Sequence, residues 1–126
     1  MKYILKNPPR KFVTGINKDM FHTEMAQIDL APEEQITFIG EGGIEYDVVR
    51  RSWGFYATPS MNARLLKFNL RSVLVKAGNN KFFIALVEKG KEEQFFVSLK
   101  DDASQIVSWL DSDEVLLKLE TKLNEE

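Results

Sequence analysis

Two apolar runs, Ser72 to Ala77 and Lys81 to Glu88, stand on either side of Gly78-Asn79-Asn80, and no other feature constrains the fold as much. Gly and Asn tolerate the positive φ that a tight reversal needs, so the two runs read as a β-hairpin. Phe82 to Val87 (FFIALV) is apolar at every position. That is the pattern of a strand covered on both faces, which places it at the centre of its sheet. Similar punctuation recurs at Glu41-Gly42-Gly43 and at Gly90 within Lys89 to Glu92. After Gly90, Gln94 to Leu99 reads as a return strand.

The N-terminal half carries the same period-two signal. Tyr3-Ile4-Leu5 predicts a short strand ended by Pro8-Pro9, since neither proline donates to a ladder. Lys11 to Ile16 predicts a second, closed by Gly15 and Asn17. From Phe21 to Leu30 one face carries His22, Glu24, Ala26, Ile28 and Leu30, the other Thr23, Met25, Gln27 and Asp29. Ala31-Pro32-Glu33-Glu34 is a turn, and Gln35 to Ile39 a further strand. Ile44 to Ala57 reads as one long extended run whose polarity switches partway. A bulge near Arg50 to Ser52, or a strand passing between two sheets, would reconcile the switch. Past Thr58-Pro59, Leu66, Phe68 and Leu70 alternate as in a strand.

The period changes only near the end. Asp102, with Gln105 three residues later, resembles a helix cap, and Ile106, Val107, Trp109 and Leu110 fall on a helical stripe. Ser112 is a second cap candidate, followed by Val115, Leu116, Leu119 and Leu123 at helical spacing. A chain of 126 residues, 44% hydrophobic, can bury a core as one domain. The expectation is a mainly β fold: a small antiparallel barrel or sandwich of seven to eight strands with a C-terminal helical segment. Residues 1–100 supply the strands and residues 101–126 the helical tail. The leucine-rich tail makes a homodimer through that helix a candidate assembly.

Charge and composition exclude several functions. A formal net charge of −2 and a pI near 5.5 give no bulk attraction for polyanions, so no nucleic-acid partner is expected. Cysteine is absent, which removes disulfides, thiolate metal sites and cysteine nucleophiles. No apolar run approaches the roughly 20 residues of a membrane helix. The first residues do not resemble a secretory signal, so a cytoplasmic, membrane-free protein is expected. His22 is the only histidine, so a multi-histidine metal centre cannot form within one chain, and no cofactor motif is present.

Two groups of residues carry possible chemistry. His22 and Glu24 share a strand face, roughly 7 Å apart by strand rise. In a barrel they would sit at the mouth, as an acid–base pair or as a solvated strand end. Glu41, Glu45 and Asp47 read as a hydrated loop. The stretch Arg50 to Arg64 is the richer one. In an extended chain Arg51, Trp53 and Phe55 form one row, and Arg50, Gly54 and Tyr56 the other. Trp53 or Tyr56 beside an arginine fork, with Ser60, Asn62 and Arg64 across the turn, suits a sugar, carboxylate or phosphate. Ordinary packing of the same rings is the competing interpretation.

The runs EYDVVRRSWGFYATPSMNARL and FNLRSVLVKAGNNKFFIALVEKGKEEQF resemble a family of short bacterial proteins of undetermined activity. That family is associated with surface-polysaccharide and nonulosonic-acid (sialic-acid-like) sugar loci. The similarity spans about Met25 to Trp109. The resemblance implies a protein that handles an acidic sugar or sugar nucleotide, or assists an enzyme that does. On that footing Trp53, Tyr56, Ser60, Asn62, Arg64, Arg50 and Arg51 would bind the ligand. The alternatives are a metal-free sugar isomerase or epimerase using His22 with Glu24 or Tyr56 as acid and base, and an interaction module docking through the C-terminal helix or a sheet edge.

Overall fold

Alternating side chains in the first half of the chain do produce strands, while the second half mixes strands and helices. The computed structural model describes residues 2–14, 20–57 and 59–125, with the side chains of residues 11–12, 22–57 and 59–125. Its elements are β1 (Lys2–Thr14), β2 (Met20–Asp29), β3 (Gln35–Ile39), β4 (Glu45–Arg51), β5 (Gly54–Tyr56), α1 (Arg64–Lys67), β6 (Leu70–Lys76), β7 (Phe82–Glu88), α2 (Glu92–Asp101), β8 (Gln105–Trp109) and α3 (Asp113–Leu123). Among the described residues the eight strands form three antiparallel sheets, β1-β2, β3-β4-β5 and β7-β6-β8, none closed into a barrel. The chain is therefore mainly β with a C-terminal helix. It divides into two compact units: Met1–Ile36 with Val48–Ala57, and Thr37–Asp47 with Thr58–Glu126.

In the first unit, β1 pairs with β2 from Lys2↔Asp29 to Leu5↔Ala26 and again from Arg10↔Glu24 to Thr14↔Met20. Pro8-Pro9 occupies the break. Without N–H groups the prolines cannot join the ladder, so the strand bulges past them instead of stopping. The expected second strand from Lys11 is thus the continuation of the first. Its expected closure around Ile16, with Gly15 and Asn17, lies outside the described residues. The turn at Ala31 to Glu34 forms as the proline implies, with the Glu34 N–H donating to the Ala31 carbonyl at 3.1 Å.

The long run Ile44 to Ala57 is neither bulged nor shared between sheets. The chain reverses at Ser52-Trp53, pairing Val49↔Tyr56, Arg50↔Phe55 and Arg51↔Gly54. Gly54 takes φ +151°, a conformation that L side chains rarely adopt, and this permits the tight reversal.

In the second unit, β6 is hydrogen-bonded to β7 on one side and β8 on the other. Val73 and Val75 are wholly buried. Together with Val87 of β7 and Leu99 of α2 they form the core, packed by Ala85, Phe95, Ile106 and Trp109. FFIALV therefore lies at an edge and not at the centre, and Phe82, Phe83 and Ile84 are 60%, 44% and 51% exposed. The alternation at Leu66 and Phe68 is not a strand either. Those residues follow a turn in which the Ser60 hydroxyl accepts from the Arg64 N–H at 2.8 Å, and Asn69 at φ +65° closes the single helical turn α1.

Gln94 to Leu99 is helical, and winding at 3.6 residues per turn brings Phe95, Phe96 and Leu99 to one side while Val97 stays exposed. Phe95 and Leu99, four apart, both pack on the sheet. The helix ends in a Schellman arrangement, the Ser104 N–H donating to the Leu99 carbonyl and the Ala103 N–H to the Lys100 carbonyl, with Ala103 at φ +53°. Asp102 thus closes a helix where the sequence suggested it opens one. Ile106 to Trp109 follows as strand β8, with an irregular register beside Val75. The helical tail narrows to α3, whose expected cap holds: the Ser112 hydroxyl accepts from the Val115 N–H at 3.2 Å.

Arg71 ties these elements together. Its guanidinium donates to Asp111 at 2.6 Å and to Glu92 at 3.2 Å, and its Cζ lies 4.0 Å from the Trp109 ring centroid. The start of α2 and the β8–α3 junction are thereby fixed to β6. The Asp111 carboxylate, joined by Glu92, raises the pKa of Arg71.

Two stability effects follow. Ala103→Gly removes the left-handed penalty of an alanine at the helix end, and a gain of roughly 0.5–1 kcal/mol is expected in chemical denaturation. Glu92 accepts from its own N–H, from Gly90 and from Arg71, which hold its carboxyl below the ordinary 4.5. A depressed carboxyl contributes stability that is complete above 4.5 and disappears as the pH falls through the folded value. The melting temperature should therefore drop on acidification below about pH 4.5, and Glu92→Gln should flatten that slope.

Candidate functional site

The residues singled out around Pro59 fall in both units. Arg50, Arg51, Trp53 and Tyr56 belong to the first, and Ser60, Asn62 and Arg64 to the second.

In the first unit the arginines serve the β4–β5 hairpin itself. Arg50 donates to the carbonyls of Arg51 and Gly54, the latter at 2.8 Å, and its Cζ stands 5.1 Å from the Phe55 ring centroid. Arg51 pairs with Glu33. The two rows read from an extended chain do not form, since the reversal makes Arg50 and Phe55 cross-strand neighbours. Trp53 sits at the hairpin tip, 71% exposed, and Tyr56 is 43% exposed. A Cβ built on Gly54 would meet nothing within 4 Å, so the space beside it is open. On β2, His22 stands opposite Phe12 and Glu24 opposite Arg10, with Glu24 accepting from Gln27 at 3.5 Å. His22 is exposed and Glu24 half-buried.

In the second unit the polar residues are engaged with the scaffold. Arg64 donates to Asp47 through Nε at 2.7 Å, and its second nitrogen lies 2.6 Å from the same carboxylate oxygen. Asp47 also accepts from the Thr37 hydroxyl at 2.8 Å and is buried. The sequence placed Asp47 in a hydrated loop with Glu41 and Glu45. It is instead the buried centre of a polar cluster, because Arg64 satisfies the charge that burial would otherwise leave unpaired. Asn62 donates to Asp113 at 2.7 Å, which steadies the first turn of α3. Among the described residues, no group of three or more His, Asp or Glu side chains is arranged to hold a metal ion.

An open apolar feature of the second unit lies along α3. A hollow of about 540 Å³ is lined by Ser108 of β8 and by Val115, Leu117, Leu119, Lys118 and Lys122 of α3, among others. The helix is anchored at its start by Ser112, by Asn62–Asp113 and by the Arg71–Asp111 pair. It buries none of its own residues. Leu117, Leu119 and Leu123 are 62%, 42% and 75% exposed. Sequence reading identified Leu119 and Leu123 as an apolar stripe but missed Leu117, which lies off that stripe and gives no periodic signal.

The chain matches no protein-family model, no curated protein and no solved structure.

Removing Arg64 should reveal its structural role. Arg64→Ala leaves the Asp47 carboxylate buried without its charged partner, at an expected cost of about 1–3 kcal/mol. Thermal unfolding of Arg64→Ala and of the double variant Arg64→Ala/Asp47→Ala checks this, with the double variant recovering part of the loss.

Proposed function

We propose that this chain is an accessory module that works by docking a partner protein, with α3 and its hollow as the docking surface. The observation that carries the reading is a helix firmly held at one end on which Leu117, Leu119 and Leu123 nevertheless stand in solvent. Exposed apolar side chains gathered on an anchored element are a usual mark of an interaction site. Burying Leu117 and Leu119, the two leucines that line the hollow, against a partner would contribute on the order of 2–4 kcal/mol. The resemblance to proteins of surface-polysaccharide and sialic-acid-like sugar loci supports a sugar-handling enzyme as the partner.

A second reading rests on Trp53. A ring so exposed at a hairpin tip, with Tyr56 close in sequence and open space beside Gly54, suits stacking on an acidic sugar or sugar nucleotide. Arg50 and Arg51, at the same hairpin, would exchange their internal acceptors for the ligand's anion. A thermal-shift screen against nucleotide sugars separates the two readings, since stabilisation abolished by Trp53→Ala belongs to this one.

The docking reading is tested by a photo-crosslinking amino acid placed at Leu119 in the full chain, with Glu93 as an exposed control. A discrete heteromeric adduct in cells from position 119 and none from position 93 is expected. Leu119→Asp should abolish the complex while leaving the melting temperature within a few degrees, because the side chain is already substantially exposed. Absence of any adduct from position 119 would reject the reading.

A further inference from the structure

The hollow beside α3 has a charge character that the protein as a whole does not. The chain carries a formal net charge of −2. Yet, among the described residues, those lining the hollow include Lys118 and Lys122 and no acidic side chain. Lys118 and Lys122 are one helical turn apart, with Val115 and Leu119 on one side of them and Leu117 on the other. Lys118 is paired with Glu114 at 3.1 Å, but both side chains are about three-quarters exposed, and such a pair exchanges partners at little cost. Lys122 reaches Glu125 only at 3.6 Å.

Resting on the docking reading above, we infer that the occupant is an acidic amphipathic segment of a partner protein. Its apolar side chains enter between Val115, Leu117 and Leu119, and its carboxylates meet Lys118 and Lys122. A second copy of this chain fits less well. A two-fold contact sets the same patch against itself, which brings the lysines of both copies together. An anionic membrane surface would also satisfy the lysines, and the vesicle arm of the experiment below separates it from an acidic segment.

The full chain is titrated with synthetic amphipathic peptides of about 14 residues that share one leucine stripe and differ in flanking residues, Glu, Gln or Lys. Fluorescence anisotropy should show the Glu-flanked peptide binding about tenfold more tightly than the Gln-flanked one, with the Lys-flanked peptide weakest. In the Lys118→Glu/Lys122→Glu variant, whose exposed substitutions spare the fold, the order should reverse. Equal binding of all three peptides, still lost in Leu119→Asp, would overturn the acidic partner while leaving docking intact. Binding of none would overturn the inference, and the crosslinking at position 119 then judges docking separately. Tighter binding to vesicles containing anionic phospholipid than to the Glu-flanked peptide would assign the surface to a membrane instead. A dimer in light scattering that Leu119→Asp dissociates would assign it to a second copy.

Discussion

The second unit depends on β6 being hydrogen-bonded along both edges. A strand in that position has no polar backbone edge left for water, and its odd face must be filled. Val73 and Val75 fill it completely, and Phe95 and Leu99 of α2 cover them from above. Arg71, on the same face of the same strand, reaches out of the core to Trp109, Asp111 and Glu92. One strand thereby positions the end of β8, the start of α2 and the start of α3. Its stacking and paired charges act where solvent is partly excluded, and there they weigh more than exposed surface pairs.

That arrangement has a consequence for what is left outside. With β6 at the centre, β7 is displaced to an edge and its aromatic end meets solvent. With the start of α3 anchored through Asp111 and Asp113, the shaft of the helix projects its leucines without burying them. The charged residues that looked suited to a ligand are largely used to hold local structure: Arg64 on Asp47, Arg51 on Glu33, Arg50 on its own hairpin. Exposed apolar side chains remain as well, Trp53 at the β4–β5 tip and Leu117, Leu119 and Leu123 on α3.

The sequence was a good guide wherever a local rule had no competitor. Gly78-Asn79-Asn80 makes its hairpin, Ala31 to Glu34 makes its turn, and Ser112 caps α3. It misled where one pattern served two geometries. QFFVSL alternates well enough for a strand, yet Phe95 and Leu99 also share a helix face, and the helix ends on Ala103 where glycine would have announced it. Ile106 to Leu110 has helical spacing, yet β6 needed a second neighbour. The Ser52-Trp53 reversal was hidden because Gly54, which makes it possible, lies just after the turn.

The sequence by itself determined the β-rich character, the hairpin at Gly78 to Asn80, the final amphipathic helix and the absence of cysteine chemistry, since each follows from residue type and near-neighbour spacing. Only the tertiary structure decided that β6 and not FFIALV takes the centre, that Asp47 is buried under Arg64, and that the α3 leucines stay uncovered. Those outcomes depend on pairing between segments distant in the chain, and no local period encodes which distant strand completes an edge or which helix covers a face.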